Sequence, residues 1–197
     1  MTSMFISLYI KLFFLLTPFF VLSVFLSMTK GMELRQQRTI AVRVSLAVII
    51  IGLTLYSVGN EIFSTLGITL DAFRIGAGGL LFLSAVKLVG GRSGPEAPEE
   101  DGDISVVPLA MPVTIGPASI GTLLILGAEL SGTTGKLLGA AAMFAAGLSI
   151  GIMLLLGPAI RRVVGKMGLS MLQKITGLVL SALSAQIVFT GIKNFLG

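Results

Sequence analysis

The residues able to do chemistry in this chain gather around two prolines. The first stretch reads Thr17-Pro18-Phe19-Phe20, with Ser23 one turn on; the second reads Thr114-Ile115-Gly116-Pro117-Ala118-Ser119. Proline lacks an N–H and its ring clashes with the carbonyl four residues back, so a helix opens where one is inserted. The opening frees N–H donors and about half a positive charge at the new N-terminus, and carbonyls of opposite sign at the other end. A zwitterion, with a carboxylate and an ammonium, matches both ends. A sodium ion can be held by freed carbonyls and by hydroxyls such as those of Thr17, Thr114 or Ser119. Thr17, Pro18, Thr114, Gly116, Pro117 and Ser119 are therefore the candidate substrate-binding residues, with Gly116 allowing close backbone approach. Pro108, nearer the membrane surface, reads as a simple packing kink.

Other chemistries lack their parts. There is no cysteine and no histidine, which removes disulfides, thiolate metal sites, the commonest metal ligand and the usual neutral-pH proton carrier. Glu61, Asp71 and Glu129 all fall at the ends of apolar runs, and Asp71 and Arg74, one turn apart, are expected to form a surface ion pair of small worth. With no carboxylate at the centre of a run, the chain offers no evident proton carrier and no hold for charged cargo. Nothing resembles a hydrolase, kinase or redox centre, so the expectation is a non-enzyme without cofactor or metal.

The elements that position these residues belong in a bilayer. Of the 197 residues 54% are hydrophobic and 12% charged, and the mean hydropathy is +1.01, too apolar for a soluble domain to clothe. Uncharged runs at 12–29, 44–60, 75–86, 104–128, 137–160 and 175–192 predict six transmembrane helices, since about 20 apolar residues span the hydrocarbon. The short third run extends past Lys87, whose stem can snorkel, and back towards Leu70. The N-terminal run is too long for a secretory signal and lacks a cleavage site, so it reads as a retained first helix. The net charge of +5 reflects topology rather than nucleic acid. Lys30, Arg35, Arg38 and Arg43, Lys87 and Arg92, and Arg161, Arg162 and Lys166 flank or fill loops one, three and five. That predicts cytoplasmic loops there and both termini outside.

The hydrophilic stretch from Gly90 to Gly102, "GGRSGPEAPEEDG", reads as a solvated linker dividing the chain in two. The halves resemble each other. At an offset of 100, "RIGAGGLLFLSAVKLV" (74–89) lies over "KITGLVLSALSAQIVF" (174–189). At an offset of 99, "IGLTL" (51–55) lies over "IGIML" (150–154), and Pro18 lies over Pro117. Three helices per copy forces the second copy to enter the membrane upside down. The predicted fold is thus an all-α membrane protein of six helices in two inverted three-helix repeats, the leading helix of each broken at proline, a transporter signature. Residues 1–197 form one integral membrane domain: repeat one at 1–90, an acidic linker at 91–103 and repeat two at 104–197. The small-residue stretches "GAGG" (76–79) and "GAAAMFAAGLSIG" (139–151) are expected to be packing seams.

Four stretches resemble the MarC family of six-helix bacterial and archaeal inner-membrane proteins: "LTPFFVLSVFLSMTKGMELRQQRTIAVR", "GITLDAFRIGAGGLLFLSAVKL", "VVPLAMPVTIGPASIGTLL" and "ITGLVLSALSAQIVFTGI". The resemblance spans nearly the whole chain and implies kinship with LysE-type exporters and the neutral amino acid transporter class. Two motifs depart from the family's pattern. Asn-Pro-x-Gly is replaced by Thr17-Pro18-Phe19-Phe20, which loses an amide and adds a phenyl. Gly-Pro-Gly is replaced by Gly116-Pro117-Ala118, followed by Ser119.

The expected function is a secondary transporter of a small neutral solute, glycine, alanine or serine, in the inner or plasma membrane. Sodium is a candidate coupling ion, uncoupled exchange is the other option, and a homo-oligomer is admissible. Alternatives are a LysE-like exporter of ions or small metabolites, or a non-transporting membrane scaffold. A cavity joining Thr17 and Gly116 would favour transport, and one plugged by Phe19 and Phe20 the scaffold.

Overall fold

In hydrocarbon every backbone N–H and carbonyl must be paired within the protein, so an apolar chain without a closed barrel folds as helices. The computed structural model describes residues 2–91, 109–130 and 132–197, and among these it contains helices and no strand. They are α1 (Thr2–Leu15), α2 (Pro18–Met28), α3 (Leu34–Ser57), α4 (Gly59–Leu66), α5 (Leu70–Val89), a π-helical turn (Leu109–Thr114), α6 (Pro117–Glu129), α7 (Gly132–Leu155) and α8 (Gly157–Leu196). Pro108, Arg92 and the acidic linker from residue 92 lie outside the described residues.

Among the described residues five segments are long and apolar enough to cross a bilayer: Thr2–Met28, Leu34–Ser57, Leu70–Val89, Gly132–Leu155 and Gly157–Leu196. The sequence predicts a sixth over 104–128, and the described part of it is shorter, the 13 residues of α6 preceded by the π-helical turn. The third helix does run from Leu70 past Lys87.

Two features depart from the sequence expectation. The second apolar run does not continue unbroken to Asn60: α3 ends at Ser57, and the eight-residue α4 follows, closed by Gly67 at φ 64°. Only a residue without Cβ adopts that left-handed cap cheaply. Likewise Arg161, Arg162 and Lys166 are not in a loop. They lie on α8, whose first turn carries Pro158, a position where proline's missing N–H costs nothing. The one non-helical residue inside α8 is Gly165, at φ 70° and ψ 175°. Each long helix, α3 and α7, is therefore followed by a short helical segment ending at a positive-φ glycine, Gly67 and Gly165.

Packing pairs α3 with α7 and α5 with α8, both antiparallel. Ser45 Oγ donates to the Gly147 carbonyl at 3.0 Å, while Tyr56 near the other end of α3 donates to the Lys136 carbonyl at 3.3 Å. Ser184 Oγ donates to the Gly78 carbonyl at 2.7 Å, and Asn194 Nδ2 reaches Asp71 Oδ1 at 3.3 Å. Small residues allow these approaches, as expected of seams. A Cβ on Gly147 would meet Ile49 and one on Gly151 would meet Ser45; one on Gly78 would lie 2.5 Å from Val188 Cγ2. The core runs through every long helix and α2 and α6, from Leu12, Leu15 and Leu22 to Val44, Leu81, Leu123, Met143 and Leu180, and leaves out α4. Leu46, Ile50, Phe82, Leu83, Phe144, Ile152 and Phe189 point outward and exposed, the dress of a surface meant for lipid.

Candidate functional site

At the first break, α1 ends with Leu16 N–H bonded to the Leu12 carbonyl and Thr17 N–H bonded to that of Phe14. Thr17 then turns into the left-handed region at φ 47° and ψ 56°, and Pro18 opens α2. Thr17 is the one non-glycine among the described residues with positive φ. A β-branched residue there is strained, and such strain persists only where the surroundings impose it, often at functional sites. The Thr17 hydroxyl makes no capping bond to α2. Pro18 is buried, while Thr17, Phe19 and Phe20 are half-buried.

At the second break, Thr114 closes the π-helical turn by donating Oγ1 to the Leu109 carbonyl at 2.6 Å, five residues back. Gly116 is extended (φ −88°, ψ 178°) and Pro117 opens α6. Pro117 is exposed, whereas Thr114 and Ser119 are buried. The two breaks meet at one bond: Ser119 Oγ donates to the Leu15 carbonyl at 3.2 Å. Leu15 O is one of the acceptors that the turn at Thr17 leaves without an intrahelical partner, which is costly in an apolar interior unless paired.

Of the six residues named from sequence, the structure thus joins Ser119 to the first break and seats Thr17 and Pro18 beside its partner Leu15. Thr114 spends its hydroxyl on its own turn, and Pro117 presents its ring outward. None of the six lines the cavity next to the breaks. That cavity, about 310 Å³, lies between α1, α5, α6 and α8. Leu15, Leu81, Ile125 and Leu183 form its apolar wall; Thr122, Gln186 and Thr190 are its neutral polar groups; Lys11, Arg74 and Glu129 carry its charge. Phe19 and Phe20 do not line it.

Arg74 overturns the expectation of a surface ion pair with Asp71 alone. Its side chain is 11% exposed. Nη1 pairs with Asp71 Oδ1, while Nε and Nη2 reach Glu129 Oε1 at 3.0 and 2.7 Å. Glu129 lies 55 residues away on α6, too far along the chain for helical spacing to pair them. The sequence offers no buried charge to hold a substrate; the charged groups of the cavity are half-buried in Lys11 and Arg74 and exposed in Glu129.

A second cleft, about 340 Å³, is lined by Ser23, Leu26, Ser27, Lys30, Arg161, Lys166 and Leu169. Ser23, Leu26, Ser27 and Lys30 stand 99 positions before Thr122, Ile125, Leu126 and Glu129 of the first cavity. Above this cleft Gln173, missed in the sequence, donates Nε2 to Ser23 Oγ at 2.6 Å and to the Phe19 carbonyl at 3.3 Å. Its signal was available: an amide at the start of an apolar run must find partners in lipid.

Apolar outward faces, helices broken within the bundle and a charged cavity beside the breaks define a multi-pass integral membrane protein. The chain belongs to the MarC family: the family model, described as MarC family integral membrane protein, matches residues 2–196, as the sequence motifs implied. It is 33% identical to a UPF0056 membrane protein of Aquifex aeolicus, over 98% of this chain and 94% of that one. It is 30% identical to a UPF0056 membrane protein of Pyrococcus abyssi over 96% and 94% of the two chains. The UPF0056 inner membrane protein YhgN of Escherichia coli is 29% identical over 97% of each. No solved structure matches the chain.

Proposed function

We propose that this protein is a secondary transporter of a small neutral solute, glycine, alanine or serine, working by alternating access in the inner or plasma membrane. In this proposal six crossings form two inverted three-helix repeats, with both termini outside. One observation carries it: two discontinuous helices, 99 residues apart in register, meet through the Ser119–Leu15 bond at the foot of a polar cavity. Broken helices in a membrane are tolerated only where protein buries them or a cavity hydrates them, and in transporters they hold the substrate. The antiparallel pairing of α3 with α7 and α5 with α8, the glycine breaks at 67 and 165, and the two cavities lined in matching register all support inverted repeats. Substrate entering from the cavity would compete with Ser119 for the Leu15 carbonyl, letting the two breaks separate.

Sodium held by such carbonyls, or plain exchange, is the proposed coupling, and a homo-oligomer is compatible with it. Counterflow of labelled glycine, alanine or serine into proteoliposomes preloaded with the same unlabelled amino acid is the expected outcome. Properly folded protein giving no counterflow with any of the three would leave the LysE-like exporter of other solutes, or the scaffold.

A further inference from the structure

Three cations from two separate segments share one cleft. Lys30 follows the end of α2, while Arg161 and Lys166 lie on the first part of α8; with Ser23, Leu26, Ser27 and Leu169 they line about 340 Å³. Among the described residues no carboxylate lines this cleft, and none of the three cations makes a side-chain hydrogen bond or ion pair. In the other cavity, by contrast, Arg74 is held between Asp71 and Glu129. A charge bias between the two sides of a membrane asks only for cations near one surface. It does not ask that they converge.

The convergence depends on Gly165. Residues five apart on a continuous α-helix point about 140° away from each other, so Arg161 and Lys166 would otherwise face different directions. Gly165, between them, stands at φ 70° and ψ 175°, a region essentially closed to residues with a Cβ and found where a ligand clamp or another functional site needs it. A Cβ there would meet nothing within 4 Å, so the backbone angle, not space, calls for glycine. Arg162, next to Arg161, is exposed and does not line the cleft. Ser23 already spends its hydroxyl on Phe19 and Gln173, but the Ser27 hydroxyl has no partner among the described residues. Interleaved with the cations on α8, Val163 and Met167 are 86% and 75% exposed, so apolar surface accompanies the charge.

We propose that this cleft binds the headgroup of an anionic phospholipid. Lys30, Arg161 and Lys166 hold its phosphodiester, Ser27 donates a hydrogen bond to it, and its acyl chains lie along the apolar surface that includes Val163 and Met167. Guanidinium and ammonium groups make charge-assisted hydrogen bonds to phosphate oxygens, and basic pockets between membrane helices take such headgroups. Three positive charges without a carboxylate favour a lipid of net negative charge over a zwitterionic one, whose ammonium they repel. The exposed apolar side chains favour a lipid over a free phosphate, which has nothing to set against them. A bound headgroup ties the end of α2 to the start of α8. The site does not rest on the transport proposed above.

The test is native mass spectrometry of the purified full chain in detergent. It is titrated with dioleoyl phosphatidylglycerol or dioleoyl phosphatidylcholine, which share acyl chains and differ in headgroup charge. One phosphatidylglycerol is expected to bind about tenfold or more tighter than phosphatidylcholine. Lys30→Gln and Arg161→Gln break no hydrogen bond or ion pair among the described residues, so their thermal midpoints should match the wild type. Each should nevertheless weaken phosphatidylglycerol about fivefold, the scale of one cation at an anionic headgroup, and leave phosphatidylcholine unchanged. Arg162→Gln removes the same charge from outside the cleft and should change neither. Equal losses in Arg161→Gln and Arg162→Gln would overturn the cleft in favour of diffuse surface charge. Glycerol phosphate displacing phosphatidylglycerol at equal concentration would overturn the lipid and leave a site for soluble phosphates. No preference in the wild type would also overturn the proposal. If a preference then appeared once Glu96, Glu99, Glu100, Asp101 and Asp103 were neutralised, the cleft would belong to the chain's own acidic residues.

Discussion

Thr17 shows how much of the site one residue can reveal and conceal. Its neighbour Pro18 makes the break legible, because proline cannot continue a helix whatever surrounds it. The left-handed turn at Thr17 is not legible, because threonine is among the residues least suited to φ 47°. The family's usual residue there is asparagine, which tolerates that region through its short polar side chain. Thr17→Asn is therefore expected to raise stability by about 1 kcal/mol, the scale of the left-handed penalty it relieves. The thermal midpoint in detergent micelles is the measurement, and a fall would mean that the Thr17 side chain makes compensating contacts. The Ser119–Leu15 and Arg74–Glu129 bonds were illegible for a different reason. Their partners are 104 and 55 residues apart, and only the folded chain can bring such groups together. The same is true of the cavity, whose lining comes from four helices.

At the scale of helices, long apolar runs were the secure signal, and short amphipathic pieces were not. The eight-residue α4 and the segment before Gly165 carry too few residues to show a periodicity, although Gly67 and Gly165 mark their ends. Composition identified the small-residue seams but could not say which glycines touch a neighbour. In "GAGG", Gly78 faces Val188 and the Ser184 carbonyl on α8, while Gly76 and Gly79 have nothing within 4 Å of a Cβ. Gly78→Val should therefore force α5 from α8 and cost on the order of 2 kcal/mol or more, as overpacking does. Gly79→Ala should be neutral or stabilising by up to about 1 kcal/mol, because alanine favours the helix over glycine. The fraction of protein staying monodisperse after graded heating separates the two. Equal losses in both variants would mean that α5 packs on a different face.

Across the whole molecule, the proposed repeat rests on register first and on contacts second. Offsets of 99 and 100 align apolar helices of similar alphabet, so identities alone are weak; matched prolines, matched glycine breaks and matched cavity linings, drawn from separate features, weigh more. The charge pattern carries the remaining prediction. Nine of the fourteen lysines and arginines flank the first, third and fifth connections, and cytoplasmic segments hold such an excess. Packing adds to this: Lys30 of the first connection shares a cleft with Arg161 and Lys166 on the first part of α8, so these cations lie on one side. Lys166 stands twenty residues before Gln186 on α8, which lines the other cavity. At about 1.5 Å per residue that is roughly 30 Å, the thickness of the hydrocarbon. The two cavities therefore open at opposite ends of α8; in the orientation proposed above the cationic one faces the cytoplasm and the Lys11–Arg74–Glu129 one the exterior. Because the chain has no cysteine, single cysteines report without background. In intact cells, an impermeant thiol reagent is expected to label Thr190→Cys and Lys193→Cys. Ser27→Cys and Ser93→Cys should be labelled only after the membrane is opened. The opposite pattern would reverse the orientation and turn the Lys11–Arg74–Glu129 cavity towards the cytoplasm.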